Sequence, residues 1–245
     1  MRRMLDFLKK TLPDDFFQGA CDVHCHILPG VDDGFKDEET AINALRFLER
    51  KGFEKVRLTP HFMKEYADNT KEHIAKVFVD FKQKATQSCG IQLYLGAEYM
   101  LDAGFPEHFK QGFLTFDQSD VLVLCETSYM MNVPNMKEML YDVMCEGYSP
   151  VIAHPERYQY ASRRQYEHWK SMGYQFQLNL LSLTGLYGAP AFEKSHDMLQ
   201  KKMYDYVGTD MHRLDNFINL IPKLKLKTKE IDALHELYEN NRGTF

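Results

Sequence analysis

His24 and His26 stand two residues apart in Asp22-Val23-His24-Cys25-His26. On a strand that spacing puts both imidazoles on one face while Cys25 points away. Small residues precede the pair (Gly19-Ala20-Cys21), and Leu28-Pro29-Gly30-Val31-Asp32-Asp33-Gly34 follows, a composition that reads as a loop leaving a strand end. Two imidazoles converging at such an end suit a divalent metal. A lone His-x-His pair is more often ordinary polar strand, so the inference rests on what the rest of the chain brings to the same place.

The elements that would do this follow from hydrophobic period. Glu38 to Lys51 repeats Ala41, Ile42, Ala44, Leu45 and Leu48 at helical spacing and stops at Gly52. Phe53 to Thr59 is a strand running into Pro60-His61. Residues 69–88 form a helix, and Ile91 to Ala97 a strand ending at Glu98. Val121 to Cys125 runs to Glu126, a helix spans Asn135 to Cys145, and Pro150 to Ala153 runs to His154. A polar helix near 162–171, strands at Tyr174 to Leu178 and Tyr204 to Gly208, and helices at 213–221 and 228–240 complete the series. Strands separated by helices imply parallel βαβ units, and seven of them suggest a single-domain α/β barrel with its chemistry at the carboxyl ends of the strands. The domain is read as residues 20–245, with 1–19 as an N-terminal extension in which residues 4–10 could form a short amphipathic helix.

His24/His26, His61, Glu98, Glu126, His154 and Asp210/His212 all fall at these strand ends, so six of the seven strands deliver a metal-ligand type to one rim. Singly, Glu98 and Glu126 read as solvent-exposed or salt-bridged carboxylates and His61 as a loop residue. Together they form a constellation. His73, His108, His168, His196 and His235 lie away from strand ends and read as surface residues.

Composition bounds the rest. A net charge of -5 argues against a nucleic-acid surface, and 44% hydrophobic with 27% charged residues is that of a globular protein. Five cysteines without a CxxC pair read as reduced, mostly buried thiols, so a cytoplasmic location is expected. No signal peptide or membrane span is expected either.

The motifs His24-Cys25-His26, Asp32-Asp33-Gly34, Thr59-Pro60-His61, Gly96-Ala97-Glu98, His154-Pro155-Glu156-Arg157 and Thr209-Asp210-Met211-His212 resemble the PHP superfamily, named for polymerase and histidinol phosphatase. Within it, Leu28 to Gly34 and His154 to Arg157 are similar to the bacterial CpsB/CapC tyrosine phosphatases that regulate capsule and exopolysaccharide synthesis. The resemblance covers about residues 20–240 and implies a distorted (β/α)7 TIM-like barrel with three divalent metals. It would put His24, His26, Glu98 and Asp210 on one metal, Glu98, Glu126 and His154 on a second, and Asp33, His61 and His212 on the third. Asp32 would orient a histidine or shape its loop. The sequence departs from the pattern at Cys25, Phe35 and Met211, none of which removes a ligand.

Five imidazoles and four carboxylates suit Mn²⁺, with Fe²⁺ or Zn²⁺ as alternatives, better than Mg²⁺ or Ca²⁺. Such ions would acidify a bridging water towards a pKa of ~7 and supply hydroxide to a phosphoryl group, with Arg157 as the catalytic clamp on its oxygens. The bland role for Arg157 is a salt bridge with Glu156 or another acid. A covalent cysteine route needs Arg six residues beyond a cysteine, and Ile27, Val31, Leu95, Met131 and Val151 stand there instead. The expected activity is therefore a metal-dependent protein-tyrosine phosphatase, with the tail of a bacterial tyrosine autokinase as partner. The rivals are histidinol phosphatase or another small-molecule phosphatase, and a non-catalytic metal-stabilised module.

Overall fold

In the computed structural model, residues 8–245 are described. The chain runs β1 (Lys10–Thr11), β2 (Ala20–Asp22), α1 (Glu38–Lys51), β3 (Phe53–Leu58), β4 (His61–Phe62), α2 (Lys71–Ala85), β5 (Gln92–Leu95), β6 (Glu98–Met100), α3 (Phe105–Gln111), β7 (Leu122–Glu126) and α4 (Met136–Cys145). It continues β8 (Ser149–Ala153), α5 (Arg163–Ser171), β9 (Gln175–Asn179), α6 (Ala189–Gln200), β10 (Tyr206–Gly208), α7 (Leu214–Leu220), β11 (Lys225–Leu226) and α8 (Thr228–Arg242). Helix α1 shows why local sequence suffices for many of these. Asp37 accepts from the Thr40 amide at 2.9 Å and caps the start, Ala41, Ala44, Leu45 and Leu48 are buried, and Gly52 at φ 102° takes the left-handed stop.

The strands form a mixed α/β fold whose parallel sheets make a half-barrel. Six strands lie in the order β10-β9-β8-β7-β6-β4, three in the order β2-β3-β5, and β1 pairs antiparallel with β11. The two parallel sheets are tied at both margins. Cys25 and Met211 form a parallel bridge, with Asp210 N–H donating to His24 O at 2.8 Å. On the other side Gly96 N–H donates to Leu58 O at 2.9 Å and Glu98 N–H to Pro60 O at 3.1 Å.

Alternation along the strands sorts side chains into two layers. Leu124, Val151 and Ala153 face inward onto Val23 and Phe116 in a small inner cluster, while Val123, Cys125 and Ile152 face the larger outer core under the helices. Glu126, two residues after Leu124 on β7, shares the inner face and so projects into the space above that cluster.

One expected strand is followed by a separate short one, and another is broken. Pro60 has no N–H to offer, so β3 stops at Leu58 and His61 begins β4; Gly96-Ala97 separates β5 from β6, so Glu98 opens a strand rather than closing one. Gly96 fits a close approach there, where a Cβ would lie 3.0 Å from Arg57 Cδ and 3.1 Å from Thr115 O. Helices α3 and α6 were not expected. His196, read as a surface residue, is buried on α6, where Nδ1 meets Glu230 Oε1 at 2.7 Å, and His108 is half-buried against Phe62 and Tyr99. The expected helix over 4–10 falls mostly outside the described residues, and Lys10 is already in a strand. Cys21, Cys25 and Cys125 are buried as expected, whereas Cys145 is exposed.

Candidate metal centre

The strand ends bring all nine expected ligands to one rim. Eight are buried or half-buried; Asp33, on the loop after β2, is the exposed member. His154 and Asp210 adopt left-handed backbone at φ 33° and 48°, a conformation that costs energy in residues other than glycine and is concentrated at functional sites. Glycine makes room behind the first histidines. A Cβ on Gly208 would lie 2.5 Å from His24 Cβ, and one on Gly34 would lie 2.1 Å from His26 O.

Hydrogen bonds behind the rings fix which nitrogen faces the centre. Gln177 donates its amide to Leu178 O at 2.5 Å, so its Oε1 accepts from His24 Nδ1 at 2.8 Å. Asp32 Oδ2 accepts from His26 Nδ1 at 2.8 Å, and Asp210 O accepts from His212 Nδ1 at 3.0 Å. Each ring therefore turns the lone pair of Nε2 inward in its neutral form.

What those lone pairs meet is more acceptors. His24 Nε2 lies 3.2 Å from His26 Nε2, and the two lie 3.3 Å from Glu98 Oε2 and 3.5 and 3.3 Å from Asp210 Oδ1. His61 Nδ1 is 3.2 Å from both Glu98 Oε2 and Glu126 Oε1, and His154 Nε2 is 2.9 Å from Glu98 Oε1. On the outer side Asp33 Oδ1 lies 3.5 Å from His61 Nε2 and 3.3 Å from His212 Nε2. Donor atoms about 2.1 Å from a shared ion stand roughly 3.0 to 3.4 Å apart in octahedral or tetrahedral arrangement, which is the spacing seen here. The atoms group as His24, His26 and Asp210; His24, Glu98 and His154; His61, Glu98 and Glu126; and His26, Asp33, His61 and His212.

Charge states agree. Burial alone would lower the imidazole pKa values, yet Glu98 and Asp210 raise that of His24, and Asp32 raises that of His26 well above its usual range. Burial and the nearby His26 also oppose protonation of His61, but Glu126 and Glu98 lift it to about 9. Burial should push Glu98 and Asp210 up, and the facing imidazoles, His24 foremost, instead hold both well below the carboxylate range. Glu98 Oε2, Asp210 Oδ1 and His61 Nδ1 are buried with no hydrogen-bond partner among the described residues. Anionic oxygens and imidazole nitrogens packed together in this way hold positive charge, as protons on the rings or as cations in their place. The residues present thus fit divalent metals.

Arg157 pairs with Asp210, not Glu156: Nη1 donates to Asp210 Oδ2 at 2.8 Å, and its guanidinium lies 4.2 Å from the ring centres of both Tyr129 and Tyr187. Glu156 is buried and accepts from Ser182, the Asn179 amide and Tyr204. Beside the metal-ligand cluster an open cavity of about 400 Å³ is lined by Asp33, Arg157, Leu181, Leu186, Tyr187, Asp210, His212, Arg213 and Asn216. The strand that supplied no ligand, β9, supplies supports instead: Gln177 behind His24, and Asn179, whose Nδ2 donates to Asp210 Oδ2 at 2.6 Å. Sequence reasoning missed both, as it missed Tyr129, Tyr187 and Arg213. A position in or shortly after a strand's carboxyl end was the available signal for Gln177, Asn179, Tyr129 and Arg213; Tyr187, eight residues beyond β9, carried none.

Comparison with known proteins shows what the chain is similar to. The chain is 27% identical over 213 residues to the tyrosine-protein phosphatase YwqE of Bacillus subtilis, covering 79% of this chain and 77% of that protein. It is 27% identical over 209 residues to the tyrosine-protein phosphatase CpsB of Streptococcus pneumoniae, covering 80% and 84%. The fold is shared with a chain from the crystal structures of YwqE from Bacillus subtilis and CpsB from Streptococcus pneumoniae, described as metal-dependent tyrosine phosphatases. The TM-score is 0.77 at 22% identity, over 91% of this chain and 93% of that one. The profile of the family described as "Capsular polysaccharide synthesis, CpsB/CapC" matches residues 20–233, and the chain belongs to that family.

Proposed function

We propose that this chain is a metal-dependent protein-tyrosine phosphatase of capsule or exopolysaccharide synthesis, acting in the cytoplasm on the phosphotyrosine tail of a bacterial tyrosine autokinase. The observation that carries the reading is the buried set of unpaired acceptors around Glu98 Oε2 and Asp210 Oδ1 next to an open cavity with Arg157 in its wall. The named activity of the relatives supports it. Residues 20–245 form the catalytic domain, a distorted (β/α)7 barrel. Its ring runs β2, β3 with β4, β5 with β6, β7, β8, β9 and β10, and returns to β2 through the Cys25–Met211 bridge; this order is supported by the pairings between those strands.

Three divalent ions are proposed, Mn²⁺ first, because the donor set mixes imidazole and carboxylate. His24, His26, Glu98 and Asp210 hold the first, Glu98, Glu126 and His154 the second, and Asp33, His61 and His212 the third. Bound there, divalent cations neutralise phosphoryl charge and lower the pKa of water towards ~7. The chain's own residues do the rest. Gln177 and Asp32 hold the ring tautomers, Tyr129 and Tyr187 hold the Arg157 guanidinium by contact with their rings, and Arg157 binds phosphoryl oxygens from the cavity wall.

Among the described residues each carboxylate and histidine at the rim is assigned as a ligand or stands behind one, so no carboxyl or imidazole there is left to protonate a departing oxygen. A phenolate, whose conjugate acid has a pKa of ~10, leaves without that help far better than an alkoxide, whose acid lies near water's ~15.7. The test is kcat/KM on a phosphotyrosine peptide against histidinol phosphate at one pH and metal content. The peptide is expected to win by ~100-fold or more, about 2.7 kcal/mol in the transition state. Equal rates, or preference for histidinol phosphate, would place the protein among small-molecule phosphatases.

A further inference from the structure

Two arginines line the open cavity, and they differ in how much of their charge is already engaged. Arg157 is mostly buried, with its side chain 16% exposed, ion-paired to Asp210 and stacked between two tyrosine rings. Arg213 follows the proposed ligand His212 directly and precedes α7, and its side chain is exposed. Among the described residues it has no ion pair, hydrogen bond or aromatic partner, and its neighbour on the wall, Asn216, is neutral. Leu181, Leu186 and Tyr187 supply an apolar side to the same cavity. Asp33 and Asp210 line the same opening, but Asp210 pairs with Arg157 and Asp33 faces His61 and His212, so the opening presents a fixed cation in its wall and, at its edge, a cation that neither carboxylate engages. A free cation at the edge would add little to a phosphoryl group already held by Arg157 and the proposed metals. It is well placed for an anion carried elsewhere on the same substrate.

We infer that Arg213 is a specificity-determining residue that receives a second anionic group of the substrate, a carboxylate or a second phosphate on a residue flanking the phosphotyrosine being hydrolysed. The inference rests on the phosphatase reading above. Arg213 acts by charge at the rim, so its effect appears in KM and weakens as salt rises.

The test uses the Mn²⁺-loaded full chain and three peptides of one length: a phosphotyrosine flanked by Ala, the same flanked by Glu, and the same with a second phosphotyrosine. The ratio of kcat/KM on each anionic peptide to that on the Ala peptide is expected to be about fivefold in the wild type, the range of one exposed ion pair. It should fall to about one in Arg213→Ala, remain above one in Arg213→Lys, and drop below one in Arg213→Glu. A gain on the doubly phosphorylated peptide alone would identify phosphate as the group read, and a gain on both would identify any anion. A ratio of one in the wild type, or one that persists in Arg213→Ala, would overturn the inference while leaving the phosphatase reading intact. So would an equal loss on all three peptides, which would put Arg213 on the scissile phosphoryl group. Failure of the wild type to hydrolyse any of the three would remove the phosphatase reading and this inference with it.

Discussion

Asp210 turns one carboxylate oxygen to His24 and His26 and the other to Arg157 and Asn179, so a single side chain joins the metal-ligand cluster to the cavity wall. Removing Arg157 leaves one of those buried oxygens with a single partner and strips the cavity of its fixed cation. Arg157→Ala is therefore expected to slow aryl and alkyl phosphate hydrolysis alike, whereas Cys25→Ser and Cys125→Ser keep most of the rate; steady-state kinetics on both ester types checks this. His24→Ala or Asp210→Ala should lose at least ~100-fold. Gln177→Leu keeps the first histidine but releases its Nδ1, and should weaken metal binding by about 10-fold to 100-fold, read by titration of the metal-free protein. At this scale the proposed ligands were legible as a cluster and the residues behind them were not. His, Asp and Glu at strand ends announce themselves by type, whereas Gln177, Asn179 and Tyr129 are ordinary residues until the tertiary structure aims them.

Elements were legible where local sequence alone decides them. Helix α1 ends where its period and Gly52 say, within the expected 38–51. Helix α6 was not legible because Gly188-Ala189-Pro190 reads as a break, although proline in the first turn is compatible with a helix start. The two-residue strand β4 and the three-residue β6 depend on their neighbours and carry no period of their own. Strand β10 ends in Gly208 against His24 Cβ, so Gly208→Ala should destabilise the fold by more than ~1 kcal/mol and lower metal affinity together, seen by denaturant melts and metal titration. Helices α6 and α8 are locked by Glu230, which accepts from His196, Gln200 and the Lys227 amide. Burial would raise that carboxyl, but these partners lower it to about 2. A folded-state pKa below the unfolded one stabilises above the unfolded value and is lost as pH falls through the folded one. Glu230→Gln should thus cost on the order of 2 kcal/mol at neutral pH, with the gap from wild type closing between about pH 4.5 and 2 in urea melts.

Across the whole molecule the net charge is -5, yet the cavity wall carries two arginines beside a rim whose carboxylates attract cations. That local clustering of charge, in which Asp33 and Asp210 share the wall with the arginines, is invisible to composition and depends on bringing segments from His24 to His212 to one rim. No helix among the described residues is long and apolar enough to cross a membrane. Ions that bind the folded rim but not the unfolded chain should raise Tm with concentration, and a thermal melt with and without Mn²⁺ reads this directly. The most direct test is to strip all metal with a strong chelator, verify by elemental analysis that none remains and by circular dichroism that the chain stays folded, and follow phosphotyrosine-peptide hydrolysis before and after Mn²⁺ is returned. Hydrolysis is expected to fall at least ~100-fold in the folded, metal-free protein and to return with Mn²⁺; full activity with no metal bound would contradict it.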